Sequence, residues 1–485
     1  MGHDAQMGIA ESSSTSMGIL HDNTPRDAEL PQLLLILDPK HMKEILCQGM
    51  FSSARERERF RIRGCEIIQV RYKPASSCMV SYRLEIEDRA TGTTGEQILC
   101  GRAVPKGRSQ SQWERAAARA LVQPRFGKPL VHLSAIHMVL WSFPNDRKMR
   151  TLSAAVDAVH SASTGPPRWL LSRFGTEWQV SNTTSRVLRY VGEHTCTVQT
   201  SVELNHPSRP TRRTLSLFGK TYYDEEGAQT DRVMQQLWNS DSRRSGRLGI
   251  AEPLWYDARL KTLWQLGIHG VTLEYLTLDS PECTSHLMKA ARTIAVFHTT
   301  LVSDVRLVTV LDLLDTLEKV TGMLLRSRPS CRPLLVPLVE RLTAQAKTVS
   351  IQPTATLHGD LHMKNLLLTE DNIALIDLDN VCAGHPGQDL GSFVAGLLTG
   401  ALAKQVPVSN LAVPVRAFLN HYDQCAPWKL DQPTLAWFTA VALVVERAHR
   451  SITRLKGNQR GHIEALLNYA DQISEARSLK PLADV

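Results

Sequence analysis

Two aspartates and an asparagine in the last third of the chain have the types and spacing of a site for a hard metal ion. Asp360 follows a histidine and a glycine, Asn365 comes five residues later, and Asp377 closes a second apolar run. The segments 365–368 and 373–376 are mostly apolar and are separated by Thr-Glu-Asp-Asn, which predicts a β-hairpin. Because the outer ends of an antiparallel hairpin meet, the three polar side chains should converge at one edge.

Oxygen ligands of this kind suit Mg²⁺, which proteins usually hold with one or two carboxylates together with substrate phosphates. A further acid that does not touch the metal could orient a hydroxyl nucleophile and accept its proton. The pattern therefore favours a reaction on a substrate that carries phosphate.

The sequence HGDLHMKN, followed by IDLDNVCAGHPGQDL, resembles the aminoglycoside phosphotransferase and choline kinase family, which has a protein-kinase-like fold. The resemblance covers about residues 186–460. It implies that Asp360 is the catalytic base and that Asn365 and Asp377 hold Mg²⁺ on the phosphates of ATP. It also implies that Asp389 is a buried acid that braces the catalytic loop from a helix.

Three other polar side chains lie in the same stretch. His358 is expected to hold the loop by hydrogen bonds, and His362 is expected to be structural rather than catalytic. For Asp379 two roles stay open, a group that supports the metal ligands from behind or a simple turn residue.

A kinase-like small lobe also needs a lysine on its third strand and an acid on the next helix. Lys220 fits the phosphate-binding lysine, with Glu226 as its expected partner and Asp231 as the substitute. Gly192, in the turn VGEHTCT, is expected to cover the nucleotide phosphates. A P-loop around Lys220 is rejected because Thr214 stands where that motif needs its first glycine.

The segment upstream of this lobe repeats its pattern at an offset of 118 residues. The matching pairs are Arg71-Tyr72 with Arg189-Tyr190, Cys78 with Cys196, and Gly101-Arg102 with Gly219-Lys220. In the first copy Arg102 replaces the lysine and no catalytic loop follows, so this copy cannot form a nucleotide site of its own by this route. A cap, a substrate gate, a dimerisation domain and a structural relic remain open as its role.

The sequence therefore predicts an α+β chain, a protein-kinase-like two-lobed fold preceded by a degenerate copy of its small lobe. The expected parts are a disordered leader (1–30), a cap domain (31–165), a nucleotide-binding small lobe (166–265) and a helical large lobe with the catalytic loop (266–485). Within the large lobe, three prolines in 327–337 predict a loop.

Composition and charge are those of an ordinary globular protein. The 485 residues are 42% hydrophobic and 21% charged, and a net charge of +8 is modest for this length. The longest apolar run is shorter than the about 20 residues that span a bilayer. Nine cysteines without a CxxC pair argue against a zinc site or a disulfide framework. We expect a cytoplasmic protein that binds neither nucleic acid nor membrane.

The expected reaction moves the γ-phosphoryl group of ATP to a hydroxyl of a small molecule of the sugar, amino sugar or amino alcohol class. Arg447, Arg450 and Arg454 lie at i, i+3 and i+7 of a predicted helix and are candidates for binding this acceptor. If they bind it, they favour an anionic or neutral polyol; otherwise they form a solvated face. A protein Ser/Thr kinase is disfavoured because Asp377 and Asp389 are only 12 residues apart, and a pseudokinase because the catalytic set is complete.

Overall fold

The computed structural model describes residues 25–158, 178–206, 208, 212–278, 280–350, 352–370, 372–455 and 462–482. Most of the expected leader and the beginning of the expected small lobe lie outside these residues. Across the described ranges, no helix combines the length and the apolar character that crossing a bilayer requires.

The N-terminal module is a five-stranded sheet with helices at its start and on its connections. Its helices are α1 (Leu33–Ile36), α2 (Pro39–Met50), α3 (Ala54–Arg59), α4 (Ser109–Ala117) and α5 (Leu152–Ala158). Its strands are β1 (Phe60–Lys73), β2 (Ser77–Asp88), β3 (Thr93–Ala103), β4 (Leu130–Leu133) and β5 (Met138–Ser142), in the order β1-β2-β3-β5-β4.

The small lobe has a second sheet with the same order of strands along the chain. Its strands are β6 (Gln179–Val191), β7 (Thr195–Asn205), β8 (Arg212–Tyr222), β10 (Pro253–Asp257) and β11 (Thr262–Leu266), in the order β10-β11-β8-β7-β6. Helices α6 (Glu226–Trp238) and α7 (Asp241–Arg244) and the short strand β9 (Gly249–Ile250) lie between β8 and β10.

The two sheets also share their register. Tyr72 lies opposite Cys78 in the first sheet, and Tyr190 lies opposite Cys196 in the second, at the offset of 118 residues found in the sequence. The first strand of each sheet carries two register shifts. The repeat in sequence is therefore matched by a repeat in topology.

The large lobe is mainly helical, with short strands around the catalytic loop. Its helices are α8 (Pro281–Thr299), α9 (Val310–Ser327), α10 (Arg332–Gln345), α11 (Gly387–Lys404), α12 (Ala412–Cys425), α13 (Gln432–Ala442), α14 (His449–Thr453) and α15 (Ile463–Ala476). Its strands are β12 (Val271–Thr272), β13 (Leu307–Val308), β14 (Ala355–Leu357), β15 (Leu366–Leu368), β16 (Ile373–Leu375) and β17 (Cys382–Gly384). The α+β class and the two-lobed arrangement are confirmed.

The predicted loop at 327–337 is wrong, because α10 begins at Arg332. Pro333 lies in the first helical turn, where a missing N–H costs nothing. Pro337 lies inside the helix, which continues past it although the proline removes one backbone hydrogen bond.

Three apolar clusters hold the parts together. Alternate residues of β2 and β3 face opposite sides of the first sheet, so that Tyr82 lies in the core under α2 whereas Met79 and Cys100 pack against the second sheet. Leu455 of the large lobe also belongs to the N-terminal core. A single large cluster joins the small lobe to the large lobe. The N-terminal module is thus packed against both lobes.

Candidate active site

The hairpin β15–β16 brings the predicted catalytic residues together. The Ile376 N–H donates to the Asn365 carbonyl oxygen (3.0 Å), which places Asp377 beside Asn365 at the outer end of the hairpin. The Asn365 side-chain Nδ2 donates to the Asp360 carbonyl oxygen (3.0 Å) and ties the catalytic loop to the same end. All three residues therefore converge at one edge, as their spacing predicts.

The glycine of the His-Gly-Asp motif is required by the path of the backbone. Gly359 has a φ of +76°, in the left-handed region that side chains disfavour. A Cβ at this position would overlap the carbonyl oxygen of Asn380. Because that atom belongs to the backbone of the next loop, only glycine allows the two loops to lie this close.

Asp389 braces the catalytic loop from the first turn of α11. Its carboxylate accepts the backbone N–H groups of His358 (2.6 Å) and Gly359 (3.0 Å), and His298 Nε2 lies 3.2 Å away. The His358 side chain donates from Nε2 to the Ile376 carbonyl oxygen (3.0 Å), which links the loop to the hairpin. Burial would raise the pKa of Asp389, but the hydrogen bond and the charge of His298 outweigh it and lower that pKa.

Lys220, on β8, forms ion pairs with two carboxylates of the loop after β16. Its Nζ lies 2.6 Å from Asp377 Oδ1 and also contacts Asp379, which in turn accepts a hydrogen bond from the Tyr222 hydroxyl (2.7 Å). Burial would lower the pKa of Lys220, but the charges of the two aspartates outweigh it and raise that pKa. The lysine is therefore held charged beside the metal-ligand candidates.

The prediction that Glu226 or Asp231 pairs with Lys220 is wrong in this structure. Within the described residues, neither Glu226 nor Asp231 forms an ion pair with Lys220. Asp377 adopts a left-handed backbone (φ 61°), and Asp379 follows on the next turn, so that two carboxylates reach the lysine from one loop. Burial, together with nearby carboxylates, raises the pKa of Glu226, and burial raises the pKa of Asp231. The spacing Asp-x-Asp is the sequence signal for this arrangement, and it resolves the open role of Asp379.

Asp360 pairs with Arg450, which the sequence analysis assigned to binding of the acceptor. Arg450 Nη2 donates to Asp360 Oδ1 (2.8 Å), and His362 Nε2 lies 3.7 Å from Asp360 Oδ2. Burial would raise the pKa of Asp360, but the charge of Arg450 outweighs it and lowers that pKa. Burial also lowers the pKa of His362 to about 4. At neutral pH the site therefore holds an ionised aspartate and a neutral histidine.

The predicted arginine face is wrong at Arg447, which is engaged inside the protein. Arg447 is only 7% exposed, and its Nη2 donates to the Ser392 carbonyl oxygen (2.7 Å). It lies in a π-helical segment, Leu443–Ala448, whose wider turn moves it off the face that an α-helix would form. Arg454 lies just beyond the end of α14 and interacts electrostatically with Arg450 and Asp360. Arg450 reaches Asp360 directly.

Gly192 lies where the two modules meet. A Cβ at Gly192 would overlap Sγ of Cys100, so the turn between β6 and β7 packs directly on β3 of the N-terminal module. The next residue, Glu193, has a positive φ (60°) and is 7% exposed. Its carboxylate pairs with Arg102 (3.1 Å) and with Arg147, both from the N-terminal module.

Asp146 adds further contacts to this turn, and Glu193, Arg102, Arg147 and Asp146 together are called the clamp. It accepts the Glu193 backbone N–H (2.9 Å) and the Tyr190 hydroxyl (2.6 Å), so that β6 and the turn are both held from the N-terminal side. Burial would raise the pKa of Glu193, but the hydrogen bond from Arg147 outweighs it and lowers that pKa. Sequence reasoning missed Glu193, Asp146 and Arg147, because each looks like an ordinary surface charge.

The donor set fits magnesium bound together with phosphates rather than a metal cage made by protein alone. Among the described residues, no group of three or more His, Cys, Asp or Glu side chains is arranged to hold a metal ion. Asp377 supplies one carboxylate, and the nitrogen of Asn365 is engaged by the Asp360 carbonyl, so its oxygen is the atom available as a ligand. One carboxylate and one amide oxygen match the few protein ligands that Mg²⁺ takes beside phosphates.

Comparison with known proteins finds one protein family whose model matches part of this chain. The model of the phosphotransferase enzyme family (APH) matches residues 200–428. No curated protein sequence matches the chain significantly. Among solved structures, a thermostable mutant of aminoglycoside phosphotransferase APH(4)-Ia is 16% identical and covers 64% of this chain and 98% of its own, with a TM-score of 0.43.

Two further solved structures are similar at the same level. Choline kinase from Cryptosporidium parvum is 12% identical and covers 61% of this chain and 90% of its own, with a TM-score of 0.42. A choline/ethanolamine kinase family protein from Mesorhizobium loti is 11% identical and covers 68% and 98%, with a TM-score of 0.44. The family match includes Lys220 and the whole catalytic loop, and it agrees with the family that the sequence resembles.

Proposed function

We propose that this protein uses Mg²⁺ and ATP to phosphorylate a hydroxyl of a small molecule. One observation carries the proposal: the lysine, the two metal-ligand candidates and the loop aspartate converge at one edge, inside the segment that matches the phosphotransferase family. These residues are Lys220, Asn365, Asp377 and Asp360. Phosphoryl transfer needs positioning and charge neutralisation more than covalent chemistry, and this set supplies both.

In the proposed step, the acceptor oxygen attacks the γ-phosphorus while the bond from that phosphorus to the β,γ-bridging oxygen breaks. The electron pair of that bond leaves with ADP, and the hydroxyl proton passes to the Asp360 carboxylate. Asp360 is suited to orient the hydroxyl because its lowered pKa keeps it ionised. Asn365 and Asp377 would hold Mg²⁺, which when bound neutralises phosphate charge, and Lys220 adds a second positive charge.

We also propose that the N-terminal module is a degenerate copy of the small lobe that now braces it. The shared strand order, the shared register and the sequence offset support a duplication. The clamp on Glu193 supports a bracing role, because it fixes the turn that would cover the nucleotide phosphates. A cytoplasmic location is proposed as well, and the odd number of cysteines supports it.

The test is Mg²⁺-dependent transfer of label from γ-labelled ATP into a fractionated metabolite extract. Wild type is compared with Asp360→Asn and with the matched control Asp315→Asn, which changes an exposed aspartate on α9. We expect labelled small molecules with wild type and the control, and at least a hundredfold loss with Asp360→Asn. Label in a protein fraction would instead indicate a protein kinase. Binding of Mg-AMP-PNP without any transfer would indicate a pseudokinase.

A further inference from the structure

Three parts of the chain contribute arginines to a cluster around Arg454, which itself interacts with Asp360. They are Arg71 on β1 of the N-terminal module, Arg189 on β6 of the small lobe, and Arg450 and Arg454 on and just after α14 of the large lobe. Arg454 interacts electrostatically with the other three arginines and with Asp360. Arg189 interacts in the same way with Asp377.

The packing of the N-terminal module explains why Arg71 lies there. Strand β1 packs against α14, and Leu455 inserts into the apolar core of the module. Arg71 also interacts electrostatically with His194 and Tyr223 of the small lobe. This side chain therefore lies at the junction of all three parts and interacts electrostatically with Arg454, which in turn interacts with Asp360.

Among these arginines, only Arg450 forms an ion pair with a carboxylate of the described residues. Arg450 pairs with Asp360 (2.8 Å). In the described ranges, the guanidinium groups of Arg71, Arg189 and Arg454 form no ion pair, and the segment 456–461 contains no acid. Clustered guanidinium groups repel each other, and a bound anion relieves that repulsion through charge-assisted hydrogen bonds.

We propose that the acceptor is an anionic small molecule, with a phosphate or carboxylate group beside its reacting hydroxyl, and that Arg71 and Arg454 bind that group. Around Asp360, Arg71, Arg447, Arg450 and Arg454 stand against two carboxylates, Asp360 and Glu446, the second of which pairs with Arg447. A cationic amino sugar or amino alcohol would meet unbalanced positive charge there, whereas an anion is attracted. Arg189, beside Asp377, is assigned to the nucleotide side. The inference rests on the proposed function, because it concerns the acceptor of that reaction.

The first experiment separates a metabolite extract by ion exchange into anionic, neutral and cationic pools. Each pool is incubated with the full-length protein, Mg²⁺ and γ-labelled ATP. We expect the labelled product to arise from the anionic pool. Label from the neutral or cationic pool overturns the inference but leaves the phosphotransferase proposal standing. Label from no pool overturns the proposed function and the inference with it.

The second experiment tests the arginines with the anionic pool as acceptor source. Arg71→Gln and Arg454→Gln should each raise the KM for the labelled acceptor about tenfold, with kcat changed less than twofold, since one charged hydrogen bond is lost. The affinity for Mg-AMP-PNP should stay within twofold of wild type. The matched control is Arg61→Gln, an exposed arginine at the other end of β1, about 33 Å away at 3.3 Å per residue. An unchanged acceptor KM in both variants, or a tenfold loss of Mg-AMP-PNP affinity, overturns the assignment.

Discussion

The clamp on the turn between β6 and β7 makes a quantitative prediction for Glu193→Gln. Glu193 is 7% exposed and pairs with Arg147 and Arg102, which are 31% and 26% exposed. Removing one partner of a buried ion pair typically costs about 3–5 kcal/mol. Here water can rehydrate both arginines and glutamine still accepts a hydrogen bond, so we expect a loss of about 2 kcal/mol in the free energy of unfolding.

That loss should appear both in stability and in nucleotide binding. For a cooperative unit of 150–250 residues, about 2 kcal/mol lowers the Tm by about 4–8 °C. Because the loosened turn must be ordered again on binding, the Kd for Mg-AMP-PNP should rise about three- to tenfold. Thermal unfolding and isothermal titration calorimetry measure the two quantities. The matched control is Glu96→Gln, which removes a 69% exposed partner on β3 and should cost less than about 0.5 kcal/mol.

The pH dependence gives a further check on the same clamp. The pKa of Glu193 is lowered in the folded protein, so its contribution is present above the ordinary glutamate pKa of about 4.3 and is lost as the pH falls through the folded value. The difference in Tm between wild type and Glu193→Gln should therefore shrink in acid. A variant with a Tm within about 1 °C of wild type at pH 7 would refute the stabilising role of the clamp. A lower Tm with unchanged Mg-AMP-PNP affinity would show that the clamp stabilises the fold but does not contribute to nucleotide binding.

Three other substitutions test the site. Lys220→Met should weaken Mg-AMP-PNP binding at least tenfold in calorimetry, because the phosphate charge loses its lysine; wild-type affinity would contradict the assignment. Gly359→Ala should destabilise the protein by at least about 2 kcal/mol in thermal unfolding, because its Cβ meets the neighbouring backbone. The control Gly92→Ala also has a positive φ, but it has open space and should cost only about 1 kcal/mol. Glu226→Gln should keep or raise the Tm at pH 7, because the raised pKa of Glu226 means that folding disfavours its charged form, and this advantage should vanish as the pH falls towards 4. A lower Tm at pH 7 would instead indicate an ion pair with the lysine.

Local patterns in the sequence predicted the architecture of the catalytic loop. The apolar runs around Thr-Glu-Asp-Asn form a hairpin, and a hairpin necessarily joins the ends that carry Asn365 and Asp377. The 118-residue repeat likewise predicted two sheets of the same topology, because alternating apolar residues determine which face of each strand is buried. These features depend on residues close together in the chain.

The side-chain partners in the site depend on packing between distant segments. Lys220 and Asp379 are separated by more than 150 residues, and Arg450 meets Asp360 from 90 residues away. Spacing along the chain could not choose between Asp379 and Glu226 as the partner of the lysine, since the choice depends on which carboxylate the backbone turns towards it. A π-helical segment, invisible in the apolar pattern, contains Arg447, whose guanidinium donates to the Ser392 carbonyl oxygen.

The sequence by itself determined the elements, the repeat, the family resemblance and the catalytic loop, because all of these follow from short-range pattern and spacing. Only the tertiary structure decided that the N-terminal module contacts the turn at Glu193 and that its strand β1, which carries Arg71, packs against α14. The physical reason is that these contacts arise where three parts distant in the sequence pack together. A charged residue in such an interface has the same local sequence as one exposed to water, so its role depends on the surface that packs against it.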